Sequence, residues 1–188
     1  MKKAVSLIIV LSVFIFSSVL FAETVVLKPV QDEPAIQYTD LTTGITLVIP
    51  SVWKKLVLPD AINKNQVAWS KPGNNNLPYI MLQNGPLPPG VTNAKEFADG
   101  LLFRYRQSES TTVIEDVHEL VINGIKLVKM VTEVPKTGHS FVLRTATYTT
   151  VVGDRAVRIM ISDDAKNFAD TQAQTAVILN SIKIADKI

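Results

Sequence analysis

Cysteine is absent from the chain, and histidine occurs only twice. Without cysteine there is no disulfide, so the fold must rest on its hydrophobic core alone. The same absence excludes lipoprotein processing, because the acyl chains of a lipoprotein are attached to a cysteine. The chain also lacks the Gly-x-Ser-x-Gly motif of a hydrolase nucleophile. We therefore expect no enzymatic activity and no cofactor, and we assign no catalytic, cofactor-binding or metal-binding residue.

The first 22 residues have the pattern of a secretory signal. Lys2 and Lys3 are followed by an uncharged stretch, residues 4–21, and Ala22 precedes the first acidic residue, Glu23. A basic start, an apolar stretch and a small residue before the cleavage point are typical of export signals. The stretch is longer than the about 7–15 apolar residues of a usual signal and close to the about 18 of a membrane span. We predict a periplasmic or secreted protein, with membrane anchoring by residues 4–21 as the alternative.

Positive and negative charges balance once residues 1–22 are removed. The chain has 19 Lys and Arg against 17 Asp and Glu, and the loss of two lysines with the signal leaves 17 of each sign. The pI of about 8.8 therefore partly reflects the signal. Because nucleic-acid binding needs a basic surface, we predict no nucleic-acid partner.

The remainder has the length of one domain. Residues 23–36 contain two prolines and read as a loose lead-in. Residues 37–188 show no internal repeat and no second linker, so we predict a single domain there.

Alternation of apolar and polar residues predicts antiparallel strands over most of this domain. The predicted strands are residues 37–41, 45–49, 66–70, 79–83, 113–122, 125–134, 141–152 and 155–162, with a short one within 181–184. Asn123-Gly124 is a strong hairpin signal because both residues tolerate positive φ. Gly153-Asp154 predicts a second tight turn of the same kind. The last four long strands are predicted to form an antiparallel meander.

Two helices are predicted to cover the sheet. Asn93 and Glu96 resemble a capping box at the start of the first helix. Its apolar residues recur on one stripe: Phe97, Ala98, Leu101, Leu102 and Tyr105. The second helix is predicted over residues 164–180, with these apolar residues needing cover: Phe168, Ala169, Ala173, Ala176, Val177 and Leu179. The fold class is therefore α+β, an antiparallel sheet of about six to seven strands flanked by helices.

Residues 44–53, Gly-Ile-Thr-Leu-Val-Ile-Pro-Ser-Val-Trp, resemble the opening of the PsbP-like superfamily, in which a strand runs into Pro and then Trp. The central helix, the meander and the closing segment Leu179-Asn180-Ser181-Ile182 are similar to the rest of that fold, so the resemblance covers residues 37–184. The superfamily includes extrinsic proteins of photosystem II, Ran-binding proteins of the Mog type and bacterial envelope proteins of the DcrB and LpqN kind. The resemblance implies an α/β/α sandwich that serves as an accessory or binding module. It implies no particular ligand, because function depends on the site rather than on the fold.

Asp116 and His118 are the first candidates for metal chemistry. On a regular strand they share one face, and Glu115 and Glu119 share the other. A metal site normally needs three or four ligands, so we interpret the segment as the solvated face of an edge strand.

Two other polar pairs have structural interpretations. His139-Ser140 lies on a turn, where adjacent side chains seldom form a nucleophile–base pair. Asp163-Asp164 precedes the predicted second helix and is interpreted as its cap.

The segment Leu87-Pro88-Pro89, between Gly85 and Gly90, lacks the lysine of a phosphate-binding loop and favours a stiff polyproline conformation. With the loop of residues 72–78 it would form a partner-binding rim. We prefer the interpretation of a rigid connector that limits the entropy lost on folding, and the rim is the alternative. The large aromatic residues Trp53, Trp69 and Tyr79 are interpreted as core rather than as a ligand platform.

The first functional hypothesis is an exported, non-catalytic envelope accessory protein that binds another protein or a cell-surface component. The alternative is a periplasmic carrier of a metal or small ligand, using a pocket between the sheet and the Pro-rich loops. Polar groups converging in a concavity would favour the carrier. An exposed apolar patch would favour a protein partner.

Overall fold

Residues 34–59, 65–72, 76–135 and 141–185 are described by a computed structural model of the chain. They form two antiparallel sheets and two helices. The small sheet has the spatial order β1 (Ala35–Thr39), β2 (Ile45–Pro50) and β10 (Lys183–Ile184). The large sheet has the order β3 (Lys54–Lys55), β4 (Gln66–Ser70), β5 (Tyr79–Pro86), β9 (Arg155–Asp164), β8 (Val142–Val152), β7 (Ile125–Pro135) and β6 (Thr112–Ile122). The helices are α1 (Ala94–Gln107) and α2 (Phe168–Leu179).

The predicted fold class is confirmed, with one addition. The large sheet has seven strands, and its last four strands in sequence form the predicted meander. The addition is the separate small sheet, in which β10 at the end of the domain pairs with β2 at its beginning. The predicted signal, most of the lead-in and the turn with His139 and Ser140 lie outside the described residues.

The ends of several strands differ from the predictions. Leu41 was expected to end the first strand, but it is 95% exposed in a turn where the Gly44 N–H donates to the Asp40 carbonyl at 2.7 Å. Strand β5 continues three residues beyond its predicted end at Gln83, through Asn84 and Gly85 to Pro86. These three residues pair with β9, and that long-range partner keeps the segment extended.

The two predicted tight turns have different backbone conformations. Asn123 has φ of 50° and Gly124 has φ of 77°, as a primed hairpin turn requires, so that prediction is confirmed. At the second turn Gly153 has φ of 62°, whereas Asp154 does not have a positive φ. The second turn is therefore not of the same kind.

Helix α1 begins as the capping residues predict. The Asn93 side chain accepts a hydrogen bond of 3.0 Å from the Glu96 N–H. The helix packs on β6, β7 and β8, and its predicted stripe meets Val128 and Met130. We call the side of the large sheet that α1 covers the helix face. The opposite side packs against the small sheet and α2, which we call the sandwich face.

Helix α2 buries a different set of residues from the one expected. It begins at Phe168, four residues later than predicted, and Ala169, Ala173 and Val177 are exposed. Its buried residues are Phe168, Thr171, Thr175, Ile178 and Leu179. The two threonines can be buried because their hydroxyl groups form hydrogen bonds within the fold. Thr175 donates to the Thr171 carbonyl at 2.8 Å.

Asp163 and Asp164 do not cap α2, so that prediction is wrong. Both belong to β9, and the N-cap position is Asn167. The Asp163 carboxylate is buried and accepts a hydrogen bond of 2.5 Å from the Thr171 hydroxyl. The Asp164 carboxylate accepts one of 3.2 Å from the Lys166 N–H. Asp163 therefore links β9 to α2 by a hydrogen bond, and Asp164 stabilises the turn between these two elements.

The main core lies between the sheets and contains both tryptophans. Trp53 and Trp69 are each 3% exposed, and the Tyr38 ring meets Trp69 edge-on with centroids 5.0 Å apart. Tyr79 is half-buried. The interpretation of the tryptophans as core residues is confirmed. No helix within the described ranges is long and apolar enough to span a membrane.

Candidate binding site

Strand β6 forms one edge of the large sheet, as the interpretation of residues 115–119 requires. One terminal nitrogen of Arg106 donates to both carboxylate oxygens of Asp116, at 2.6 and 2.8 Å. The His118 ring is exposed, and its Nδ1 lies 3.4 Å from the Asp116 carbonyl oxygen. Among the residues that the structure describes, no group of three or more His, Cys, Asp or Glu is arranged to hold a metal ion.

Irregular pairing along β6 changes which side chains share a face. Glu115 pairs with Val131 and His118 pairs with Lys129, two positions apart on β7. Because alternate residues of a strand point the same way, Glu115 and His118 share a face. The Lys129 ammonium, directly opposite His118, lies 2.7 Å from the Glu115 carboxylate, which agrees with a shared face for Glu115 and His118. Asp116 reaches α1 instead, so the predicted shared face of Asp116 and His118 is wrong.

A groove of about 520 Å³ lies between the start of α1 and the end of the β6–β7 hairpin. Its apolar lining consists of Ala94, Leu120, Val121, Leu127, Val128 and Val151. Its polar lining consists of Thr92, Asn93, Lys95, Glu119, Lys126 and Thr150. Glu119 pairs with Val128, which packs against α1, so Glu119 lies on the face opposite to Glu115, and this corrects the second predicted pairing of faces.

The groove exists because the sheet extends beyond the helix that covers it. Helix α1 starts at Ala94, fixed there by the Asn93 cap, while the β6–β7 hairpin continues to Asn123 and Gly124. Val121 pairs with Lys126 close to the turn and stays 65% exposed. An apolar side chain next to a helix end is thus left uncovered.

Hydrogen bonds fix the helix side of the groove. The Glu96 carboxylate accepts from the Thr92 N–H at 2.8 Å and from its hydroxyl at 3.0 Å, and these bonds hold the pKa of Glu96 below its usual value. The Lys95 ammonium lies 2.7 Å from the Asp99 carboxylate. That hydrogen bond, and more weakly the charge of Glu119, raises the pKa of Lys95.

Two charges on the sheet side of the groove remain available. Glu119 and Lys126 form no ion pair with another described residue. They have opposite signs and lie on neighbouring strands. The groove therefore combines an apolar floor with one accessible charge of each sign.

The two Pro-rich loops do not form a shared rim, which was the alternative to the preferred interpretation of a rigid connector. Residues 71–78 precede β5 and residues 87–93 follow it, so the loops lie at opposite ends of that strand. Residues 73–75 lie outside the described ranges. The second loop is held by the Leu87 N–H, which donates to the Asp154 carbonyl at 2.9 Å. Its last two residues, Thr92 and Asn93, line the groove, whereas Leu87, Pro88 and Pro89 do not.

Comparison with known proteins finds similar structures but no similar sequence. No protein-family model and no curated protein sequence matches the chain. The PsbP structure from the cyanobacterium Synechocystis matches with a TM-score of 0.58 at 10% identity, covering 84% of this chain and 96% of that one. The chain has the PsbP-like fold. This confirms the fold that residues 44–53 suggested.

Two further structures share the PsbP-like fold. LpqN of Mycobacterium tuberculosis, described as involved in cell envelope biogenesis, matches with a TM-score of 0.55 at 14% identity, covering 81% of this chain and 91% of that one. The Ran-binding protein Mog1p of Saccharomyces cerevisiae matches with a TM-score of 0.53 at 11% identity, covering 82% and 97%. At these identities the likeness establishes the fold and leaves the ligand open.

Within the PsbP-like fold the Pro and Trp of the opening motif have separate roles. Pro50 ends β2, and its carbonyl accepts a hydrogen bond of 2.9 Å from the Trp53 N–H. That turn directs the Trp53 side chain into the core between the sheets. The motif therefore contributes to core packing, and for this reason it indicates the fold but not a ligand.

Proposed function

We propose that the chain is an exported, non-catalytic accessory protein of the cell envelope that binds another protein or a cell-surface component. The observation that carries the proposal is the groove between α1 and the β6–β7 hairpin, which opens beside an edge strand. Val121 and Val151 offer apolar contact there, and Glu119 and Lys126 offer polar contact around it. Apolar centres with polar rims are typical of protein interfaces.

The edge position of β6 favours an extended segment of a protein partner. An edge strand presents unpaired backbone N–H and C=O groups, to which an extended peptide can add as a further strand. The charged residues and irregular pairing of residues 113–118 protect the first part of the edge from non-specific pairing. The regularly paired part, residues 118–122, adjoins the groove. Strand addition is therefore best accommodated beside the groove.

Two other observations support the envelope setting. Residues 1–22 have the pattern of an export signal. The fold is shared with LpqN, which is described as involved in cell envelope biogenesis. N-terminal sequencing of envelope material tests the export part, and we expect the mature chain to begin at or next to Glu23. Recovery of the full-length chain from washed membranes would instead favour anchoring by residues 4–21.

The second candidate function is a carrier of a small ligand, which the volume of the groove favours. A volume of about 520 Å³ lies within the about 300–1,000 Å³ of small-molecule sites. Thr92, Asn93 and Lys95 place polar groups along one side. Native mass spectrometry of the purified mature chain tests this candidate. We would then expect a bound small molecule that the substitution Val121→Arg displaces.

Site-specific photo-cross-linking in intact envelopes tests the protein-binding proposal. A photoreactive side chain at position 121 lies in the groove, whereas the same group at the exposed Val57 lies beyond β3 at the other edge of the large sheet. We expect position 121 to give a discrete protein adduct that position 57 does not give. Identical adducts from both positions, or none from position 121, would contradict the proposal.

A further inference from the structure

A second, smaller cavity lies on the helix face of the large sheet, away from the groove. It has a volume of about 70 Å³ and lies among β5, β9 and the Phe97 ring of α1. Its polar lining includes Gln83 and Arg158, and Gly85 and Ala156 form part of its wall. We call it the arginine cavity. The groove instead involves β6, β7, β8 and the start of α1, so the two sites share no lining residue.

Arg158 is partly buried and has no acidic partner within the described ranges. One terminal nitrogen of its guanidinium donates to the Gln83 side-chain oxygen. No carboxylate of a described residue lies within 4.0 Å of the guanidinium. Burial lowers the pKa of Arg158, and the charge of Arg104 acts in the same direction, while Tyr105 opposes it. Burying a charge without a counter-charge is costly, so this arrangement favours an added anion.

Thr149 provides a buried polar group without a hydrogen-bond partner next to Arg158. The two residues are directly opposed in the pairing of β8 with β9. Opposed residues of antiparallel strands have Cβ atoms about 4.5–5.5 Å apart. The Thr149 hydroxyl is fully buried and makes no hydrogen bond within the described residues. The Thr149 hydroxyl and the Arg158 guanidinium thus lie on the same face of the sheet, and neither donates a hydrogen bond to a carboxylate of a described residue.

The arginine cavity also has unoccupied space at its wall. A Cβ atom added at Gly85 would meet no atom within 4 Å. A volume of about 70 Å³ exceeds the about 10–15 Å³ that a single water needs. The cavity therefore has room for a group larger than one water beside Gly85, and the Arg158 guanidinium is the charged group that lines it.

We propose that the arginine cavity binds a small oxyanion, a carboxylate or phosphate group, through the guanidinium of Arg158. The planar guanidinium matches the geometry of such a group and forms charge-assisted hydrogen bonds with it. Gln83 holds the guanidinium in place, and Gly85 leaves the room for the ligand. The same chemistry is offered by a free anion and by an acidic group of a larger molecule.

Nuclear magnetic resonance of the ¹⁵N-labelled mature chain tests the proposal. Inorganic phosphate and acetate are titrated separately at constant ionic strength, and the amide signals of Gly85 and Ala156 are followed. We expect saturable shifts with at least one of the two anions. A response to acetate alone indicates a carboxylate, such as an acidic side chain of a partner, and a response to phosphate indicates a phosphate group.

Three variants make the test specific. Arg158→Gln removes the charge and should weaken binding about tenfold or more, since it removes charge-assisted hydrogen bonds. Gly85→Ala places a methyl group in the cavity without changing charge and should weaken binding about tenfold or more. Arg106→Gln makes the same charge change on the exposed side of α1 and should leave binding unchanged.

The outcome is decided by these variants together. Saturable shifts that Arg158→Gln and Gly85→Ala both weaken support the site. The absence of saturable shifts in the natural sequence, or shifts that persist unchanged in either variant, would overturn it. If Arg158→Gln does not fold, Gly85→Ala decides alone, because its added methyl group meets no neighbouring atom.

Discussion

Asn84 of β5 donates a hydrogen bond of 2.8 Å from its side-chain amide to the carboxylate of Asp40, and so joins the two sheets. Asp40 follows β1 of the small sheet and also accepts a bond of 2.5 Å from the Thr43 hydroxyl. The Asn84 side-chain oxygen accepts two bonds from Arg155, at 2.6 and 3.0 Å. Asp40 and Asn84 are each 7% exposed. The contact between the sheets therefore includes a buried polar network as well as the apolar core.

The first prediction concerns this network. Asp40→Ala should lower the free energy of unfolding by about 1–3 kcal/mol, because it leaves the Asn84 amide and the Thr43 hydroxyl buried without their acceptor. Urea denaturation measures the change. Asp154→Ala, on an exposed turn, is the control and should change stability by less than about 0.5 kcal/mol. Equal midpoints for the two variants would mean that the network does not stabilise the fold.

The second prediction concerns the β6–β7 hairpin. Gly124 has φ of 77°, a conformation that costs a residue with a side chain about 1–2 kcal/mol. Gly124→Val should therefore lower the free energy of unfolding by at least about 1 kcal/mol, because a β-branched residue is disfavoured most at positive φ. Urea denaturation would show this as a lower midpoint.

A matched glycine substitution in α1 is expected to have the opposite sign. Gly100 is exposed, and an added Cβ would meet no atom within 4 Å. Gly100→Ala should raise the free energy of unfolding by about 0.5–1 kcal/mol, because alanine favours helix more than glycine. A loss of stability at position 100, or none at position 124, would contradict the backbone account.

Local signals in the sequence were sufficient for the hairpin and for the start of α1. Asn123-Gly124 and the Asn93 cap act through bonds to residues three or fewer positions away, so no tertiary information is needed to read them. The small sheet was not predicted, because Lys183 pairs with Thr46 across most of the domain. Such a pairing has no local signature in a two-residue strand.

The candidate sites were missed for similar reasons. Arg158 lies in an alternating strand, where a charged residue is expected to face solvent. Its burial comes from α1, which crosses that face of the sheet. The groove depends on where α1 begins relative to the β6–β7 turn, and pairing irregularities in β6 determine which β6 side chains face it. Strict alternation along residues 113–119 cannot reveal those irregularities.

The third prediction concerns acid pH and Glu96. Hydrogen bonds from Thr92 hold the pKa of Glu96 below its usual value of 4.5, so the native state binds this proton less readily than the unfolded chain. The resulting stabilisation is present above about pH 4.5 and is lost as the pH falls through the lower native pKa. Glu96→Gln should therefore lower stability near neutral pH, and the difference from the natural chain should vanish as the pH falls through the lowered native pKa of Glu96.

Urea denaturation at several pH values measures this difference. Glu109→Gln is the control for the same chemical change, since Glu109 is exposed and lies outside α1. We expect the control to follow the natural chain throughout. A constant difference between Glu96→Gln and the natural chain across the pH range would exclude a role for the ionised carboxylate.

The last prediction is that chelation of metal ions leaves the domain unchanged. The Asp116 carboxylate already accepts two hydrogen bonds from Arg106, and His118 lies on the other face of β6. A metal at this segment would have to displace Arg106 and would gain too few ligands. We expect EDTA to shift the melting temperature by less than about 2 °C. A metal at a hundredfold its dissociation constant stabilises by about 2.7 kcal/mol, which corresponds to several degrees in a domain of this size. A fall of about five degrees that one divalent ion reverses, and that Asp116→Ala with His118→Ala abolishes, would establish a metal site and overturn this interpretation of the edge strand.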